Sequence, residues 1–195
     1  VEEVDWKRHL VYCTQVKGRV PAYFGDCAGD IDTHVLDRMR RVLIESCGYP
    51  YLMANARARL AQARHVAANA HLTDRPLVNL GGDTWALLPW LGSYAFLALE
   101  RLLKIRCAGE LGLKGLDPSR PYFMQFRMKA DEATFYRVVA AQAREDFDPM
   151  ELVYPGEVPY FDKYDELLPA ELVRKGFAEG VLDIEGMRER VAEWE

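Results

Sequence analysis

Four arginines on two predicted helices have the chemistry needed for phosphate contacts. They are Arg38, Arg41, Arg57 and Arg64. A guanidinium group presents a planar fork of N–H donors that matches phosphate oxygens, and such contacts hold a nucleic-acid backbone without reading its sequence. We therefore predict that these arginines contact the backbone of a nucleic-acid strand.

The first of these helices also carries acids at the spacing of intrahelical ion pairs. Asp37 and Arg41 are four residues apart, and so are Arg41 and Glu45, which places each pair on one helix face. A helix that is only solvated shows the same pattern. The alternative is therefore that Arg41 is neutralised within its own helix.

The stretch LGGDTWALLPWL, residues 80–91, combines a Gly-Gly turn with two tryptophans. The apolar runs on both sides of the turn predict a β-hairpin. Both faces of its second strand are apolar, so we expect a central strand that is covered on both sides. The alternative is an aromatic clamp, because Trp90 stands at a strand–helix junction where its ring can stack on a base.

Three aspartates and a histidine form a cluster with metal-ligand chemistry. They are Asp26, Asp30, Asp32 and His34. Loops that bind hard cations usually place their oxygens at tighter alternation, and helix capping accounts for the same residue types. We therefore predict no metal site.

No catalytic motif is found in the sequence. A motor ATPase needs a phosphate-binding loop of the form GxxxxGK[ST], and the Gly-Gly-Asp of residues 81–83 lacks the lysine. Two DExx strings, at 131–134 and 165–168, do not follow apolar strands as the acidic motif of a motor does. Neither GxSxG nor HExxH occurs. We predict no catalytic residue and no cofactor in this chain.

Composition limits the class of protein. The chain has 195 residues, and 50% of them are hydrophobic, which suffices for one core. No apolar run approaches the roughly 18 residues of a membrane span, so we expect no membrane partner. The four cysteines lack the spacing of a disulfide or metal framework. We expect Cys47 and Cys107 to be buried thiols in a cytoplasmic protein, and the charged start without Met suggests a piece of a longer chain.

Charge is distributed unevenly along the chain. Residues 1–130 carry 18 Lys and Arg against 13 Asp and Glu, whereas residues 131–195 carry 7 against 17. The negative charges of residues 131–195 would repel phosphate, so we expect any nucleic-acid contact on the basic body and not on the acidic tail.

The elements that must position the arginines follow from apolar periodicity. A first helix is predicted at about 32–47, with Leu36, Met39 and Leu43 as its buried stripe. A second, rich in alanine and arginine, is predicted at about 54–70.

A pattern of strand, turn, strand and helix then occurs twice, offset by about 35 residues and with negligible identity. We interpret it as two tandem β-β-α units. Together with a strand at 8–16, these units predict an α+β fold with a mainly antiparallel sheet and helices on at least one face. Residues 1–153 would form this domain. Residues 154–195 would form an acidic linker and two short helices, at 169–178 and 183–193, that pack on it.

Four stretches in chain order span most of the sequence: FGDCAGDIDTHVLDRMRRVL, YPYLMANARARLAQAR, LGGDTWALLPWLGSYAFLALERLL and EVPYFDKYDELLPAELVRKGF. Together they resemble the C-terminal region of the large-helicase-related (Lhr-type) superfamily 2 DEAD/DEAH-box helicases of bacteria. The blocks LGGDTWALLPWLG and FDKYDELLPAELVRK are the most specific parts of this resemblance. Members of that family are richer in glycine in the residues before Asp32, where this chain has Cys27-Ala28.

The resemblance implies a domain placed after two RecA-like motor domains and a winged helix, where it helps hold the strand that emerges from the motor. The implied partners are single-stranded DNA or RNA and the other domains of the same parent chain, and DNA repair is an implied process. The ATP-binding and DExH motifs of the family have no matching positions here. ATP and Mg²⁺ would therefore be bound by the parent motor and not by this chain.

The residues alone leave two other functions open. One is a protein-interaction domain that docks a partner through its acidic tail. The other is a small metal-dependent enzyme built on Asp26, Asp30, Asp32 and His34.

Overall fold

A computed structural model describes residues 3–5, 8, 10–14 and 30–194. At the N-terminus, β1 (Glu3–Asp5) and β2 (Leu10–Tyr12) pair antiparallel as a separate two-stranded sheet. The strand predicted at 8–16 is therefore shorter than expected and lies outside the main sheet. All three residues of β2 are exposed, so this strand has no apolar face buried against the core.

Two helices, α1 (Thr33–Ile44) and α2 (Ala54–Asn69), form a helical hairpin close to the predicted positions. The side chain of Asp32 accepts a hydrogen bond from the His34 N–H at 2.8 Å and so caps α1. The predicted buried stripe is only partly correct: Leu36 is buried, but Met39 is 44% exposed. No described element covers the side of α1 that Met39 occupies.

The main sheet has four antiparallel strands in the order β3–β4–β6–β5. These strands are β3 (Leu77–Gly81), β4 (Thr84–Leu87), β5 (Lys114–Ser119) and β6 (Phe123–Arg127). The two inner strands pair from Thr84 opposite Arg127 to Leu87 opposite Met124. Each hairpin thus supplies one inner and one outer strand.

Each hairpin is followed by a helix. After β4, α3 (Ser93–Leu102) continues through a π-helical segment (Leu103–Cys107) into α4 (Ala108–Leu111). After β6 comes α5 (Glu132–Arg144). The α+β fold and the two tandem β-β-α units predicted from the sequence are confirmed.

Helices cover one face of this sheet. Leu87, Met124 and Phe126 point to that face and are at most 1% exposed, in one cluster with the inner sides of α3 and α5. The opposite face is open along β6, where Phe123 and Arg127 are exposed. β4 is central as predicted, and none of its four residues is exposed, as expected of a strand covered on both sides: Ala86, on the face away from the helices, is buried.

The C-terminal segment adds two helices to the same core. α6 (Ala170–Gly180) and α7 (Ile184–Ala192) lie near the predicted positions. Phe177, Met187 and Val191 belong to the same buried cluster as the sheet and α3. The tail therefore packs on the body through apolar side chains.

The thiols divide between surface and core. Cys107 is fully buried, and burial raises the pKa of its thiol to about 12. Cys47 is exposed beyond the end of α1, so the prediction that it is buried is wrong. The helix ends at Ile44, before its apolar face reaches Cys47.

Candidate nucleic-acid interface

The start of α1 is held tightly against the junction between β4 and α3. Ser93 donates its backbone N–H to the Ile31 carbonyl at 2.8 Å, and Ile31 donates its own to the Ser93 hydroxyl at 2.9 Å. The Gly92 N–H donates to the Thr33 hydroxyl at 3.0 Å. A Cβ on Gly92 would lie 2.5 Å from the Thr33 nitrogen, so only glycine permits this approach. The junction therefore fixes where α1 begins.

The same junction sets the position of Trp90. Its φ is +55°, a left-handed conformation that is rare for a bulky residue and persists only where the surroundings impose it. The indole N–H donates to the Leu72 carbonyl at 2.9 Å, beyond the end of α2. Trp90 is therefore held from both sides, by the α3 junction and by the segment that follows α2.

The half-buried Trp90 side chain lines a groove of about 540 Å³ along α1. The walls are almost wholly apolar, and the α1 residues in them are His34, Val35, Arg38, Met39, Val42 and Leu43. Its volume falls within the roughly 300–1,000 Å³ typical of ligand sites. The exposed side of α1 at Met39 is thus one wall of an open groove, and Trp90 forms the aromatic wall.

Arg38 joins this groove to a polar network at the end of α1. Its guanidinium donates to Glu45 at 2.6 Å and to the Tyr49 hydroxyl at 3.3 Å. The hydrogen bond from Tyr49 and the one from Arg38 lower the pKa of Glu45 to about 2. The Glu45 carboxylate in turn raises the pKa of Tyr49 to about 12. Arg38 is more than half exposed in this pair, so its outer face remains accessible.

Arg41 does not form the intrahelical pairs that its spacing predicts. Asp37 instead pairs with Arg190 of α7, and Glu45 pairs with Arg38. Within the described ranges Arg41 is exposed and has no ion pair. The alternative that this arginine is neutralised within its own helix is therefore wrong. It is a cation available to a ligand.

The two arginines predicted on α2 bind backbone carbonyls within the chain. Arg64 donates to the carbonyls of Val42 at 2.9 Å and Cys47 at 3.0 Å, and so ties α2 to the end of α1. Arg57 donates to the Leu52 carbonyl at 2.8 Å but is otherwise exposed. Arg64 therefore has a structural role in the hairpin, whatever else it contacts.

The structure brings together three of the five residues predicted to contact nucleic acid. Arg38 and Trp90 line one groove although they are 52 positions apart in the chain, and Arg41 lies one turn beyond Arg38 on α1. Arg57 and Arg64 lie on the neighbouring helix, where their guanidinium groups already have carbonyl partners.

The acidic cluster near α1 is used for local structure. Asp32 caps α1, and the His34 N–H and ring lower the pKa of the Asp32 carboxyl. Asp30 accepts a hydrogen bond from the Tyr94 hydroxyl. Asp26 lies outside the described residues. Within the described part of the chain, no group of three or more His, Cys, Asp or Glu is arranged to hold a metal ion.

Sequence reasoning missed the groove itself and a second exposed apolar surface. The second surface lies at residues 160–172, and its large exposed side chains are Tyr160, Phe161, Tyr164, Leu167, Leu168 and Leu172. A signal for it was present, since aromatic and leucine residues are dense in the Pro-punctuated stretch EVPYFDKYDELLP. The groove gave no comparable signal, because it depends on what fails to cover α1.

Among the described residues, no helix is both long and apolar enough to cross a membrane. No family model, no curated protein and no solved structure matches the chain.

Proposed function

We propose that this chain is a non-catalytic C-terminal accessory domain of an ATP-dependent superfamily 2 helicase of the Lhr type. In this proposal it braces the motor and holds a single strand of nucleic acid without sequence specificity. ATP and Mg²⁺ act in the motor domains of the parent protein. The observation that carries the proposal is that Arg38 and Trp90 line one apolar groove.

The groove offers the two kinds of contact that sequence-tolerant strand binding needs. Every base has a π-face, so an aromatic wall such as Trp90 accepts any base, at about 1–3 kcal/mol per stacked base. Arg38 and Arg41 lie beside that wall on α1, where they can contact phosphate oxygens. Binding of this kind weakens as salt rises, because phosphate contacts release counterions.

The ion pair of Arg38 with Glu45 does not prevent such contact. Glu45 also accepts a hydrogen bond from Tyr49 at 2.6 Å, so the carboxylate keeps a partner when Arg38 turns to a phosphate. Arg38 would then exchange one anionic partner for another. Glu45 tunes the affinity of the groove in this scheme and does not block it.

The test is fluorescence anisotropy with a labelled single-stranded oligonucleotide at low salt. Trp90→Leu keeps an apolar side chain but removes the stacking face, so we expect roughly tenfold weaker binding. Arg38→Ala with Arg41→Ala should weaken binding and lower the salt slope by about one unit for each lost phosphate contact.

Matched controls distinguish the groove from other surfaces. Arg137→Ala with Lys175→Ala removes two exposed cations elsewhere and should leave affinity and salt slope almost unchanged. Phe123→Ala with Arg127→Ala alters the open sheet face. If that pair weakens binding while Trp90→Leu does not, the strand lies on the sheet and the groove assignment is wrong. If the chain shows no binding at low salt even as a monomer, strand holding itself is wrong.

A further inference from the structure

Residues 160–172, which we call the strap, present six large apolar side chains to solvent: Tyr160, Phe161, Tyr164, Leu167, Leu168 and Leu172. Leu167 is 80% exposed, and the other five are between 48% and 62% exposed. Single exposed apolar residues are normal on a protein surface, whereas a contiguous group of this kind marks an interaction site. The strap is therefore a candidate interaction surface.

The strap is held in a defined shape. Asp165 is only 3% exposed, and its carboxylate accepts the backbone N–H groups of Phe161 at 2.7 Å and Asp162 at 2.8 Å. The Phe161 ring packs 6.1 Å from that of Phe177, in the space left by the missing side chain of Gly176. An ordered loop loses little conformational entropy on docking, which favours binding.

The charge of the strap indicates what it binds. Its exposed charges are Asp162, Glu166 and Glu171 against a single Lys163, so its apolar ridge is bordered mainly by acids. A complementary surface is an apolar groove bordered by cations. Charge complementarity of this kind fixes the orientation of partners and speeds their encounter.

The α1–α2 hairpin of the same chain has that complementary surface. Its two helices contain six arginines and one acid, Asp37, which is already paired with Arg190. The apolar groove along α1 is open, with Met39 exposed in its wall and Arg41 one turn away. A second copy of this chain therefore carries a surface that matches the strap in both polarity and charge.

We propose that the strap of one copy docks in the α1 groove of a second copy. Leu167 and Leu168 enter the apolar groove, and Glu166 and Glu171 lie beside Arg41 and the two exposed α2 arginines, Arg57 and Arg59. The contact joins two different surfaces, so a closed dimer contains it twice, once in each direction. A docked strap also occupies the groove, so dimerisation and strand binding exclude each other, and only this last consequence rests on the proposed function.

The test is size-exclusion chromatography with light scattering on the 195-residue chain at low salt. We expect the unaltered chain to form a dimer that dissociates as salt rises. Leu167→Asp in the strap and Met39→Asp in the groove should each be monomeric, because each removes one half of both contacts. Leu80→Asp, at an exposed apolar position on β3, is the matched control and should remain dimeric. Circular dichroism checks that each variant is folded.

Mixing the two monomeric variants gives the decisive result. Leu167→Asp keeps its groove and Met39→Asp keeps its strap, so one intact contact is possible only between them. We expect a heterodimer in the mixture and none in either variant alone. A monomeric unaltered chain, a dimer that survives both substitutions, or a mixture that stays monomeric overturns the proposal.

The failure of this inference is distinguishable from failure of the proposed function. Strand binding is measured on Leu167→Asp, whose groove is unaltered and unoccupied by a strap. Binding by this variant together with a monomeric unaltered chain supports strand holding and rejects strap docking. A dimeric unaltered chain together with no strand binding by Leu167→Asp supports strap docking and rejects strand holding.

Discussion

Different interactions stabilise the two regions of the molecule, the helical hairpin of α1 and α2 and the sheet body that follows it. Each hairpin helix buries one residue, Leu36 in α1 and Ala67 in α2, and the main buried cluster begins only at Leu77. The body instead packs the sheet, α3, α5 and α7 into one apolar core. Apolar burial is the larger source of folding free energy, so the body carries most of the stability.

Polar contacts attach the hairpin to the body. Arg40 donates to the Thr73 carbonyl at 2.9 Å and pairs with Glu193 at 3.1 Å. Arg190, 6% exposed on α7, pairs with Asp37 of α1. A region attached in this way can keep an apolar groove open, because its fold does not depend on burying that groove. Most of the stability and the candidate site therefore lie in separate parts of the molecule.

The largest effect is expected from a cavity in the body. Phe126 is 1% exposed and its ring stacks 6.0 Å from that of Phe135, so Phe126→Ala should lower the free energy of unfolding by about 3–5 kcal/mol. Met39→Ala, in the exposed wall of the groove, should change it by less than about 0.5 kcal/mol. Urea denaturation of both variants measures the contrast. Similar losses for the two would mean that the hairpin contributes to stability as the body does.

A smaller effect is expected where the two regions join. Gly92→Ala places a Cβ within 3 Å of the backbone at Ile31, Asp32 and Thr33, so the start of α1 must shift. We expect a loss of about 1–3 kcal/mol, as for overpacking elsewhere, and a change in the fluorescence of the neighbouring Trp90. Gly109→Ala, whose Cβ would meet nothing within 4 Å, is the matched control. Equal behaviour of the two variants would show that the close approach is not required.

The polar attachment can be weakened without a change in the core. Asp37→Ala leaves Arg190 with Glu193 as its remaining ion-pair partner, at 2.7 Å. Because Asp37 is one-third exposed, we expect a cost of roughly 1–2 kcal/mol, below the 3–5 kcal/mol of a fully buried pair. Hydrogen exchange should accelerate in α1 and remain slow in α3 and α5. Uniform acceleration would show that the hairpin and the body unfold together.

The body was more predictable from sequence than the hairpin, for a physical reason. Gly81-Gly82 between apolar runs and the Asp131 cap are local signals, so the β-β-α units follow from residues close in sequence. The positions of α1 and α2 could also be predicted from residues close in sequence. What packs against these helices could not, since the exposure of Met39 depends on the absence of a covering element. Asp37 pairs with Arg190, 153 positions away, and not with Arg41 as its spacing predicts, and no rule of helical spacing applies at that separation.

The smallest effect concerns the protonation of the network at the end of α1. Glu45 has its pKa lowered to about 2, first by the hydrogen bond from Tyr49 and then by that from Arg38. A carboxyl whose pKa is lower when folded stabilises the folded state above its ordinary pKa of 4.5, and this contribution is lost as pH falls from 4.5 through about 2.

The loss of stability should be confined to the hairpin, because the hydrogen-bond partners of the Glu45 carboxylate are Arg38, Tyr49 and Cys47. Carboxyl NMR titration of the folded chain should therefore find Glu45 ionised at pH 3.5, and Tyr49→Phe should raise its pKa toward 4.5 by removing the hydrogen bond that lowers it most. If Glu45 titrates at its ordinary pKa in the unaltered chain, Arg38 is not held by this network and its guanidinium turns freely toward the groove.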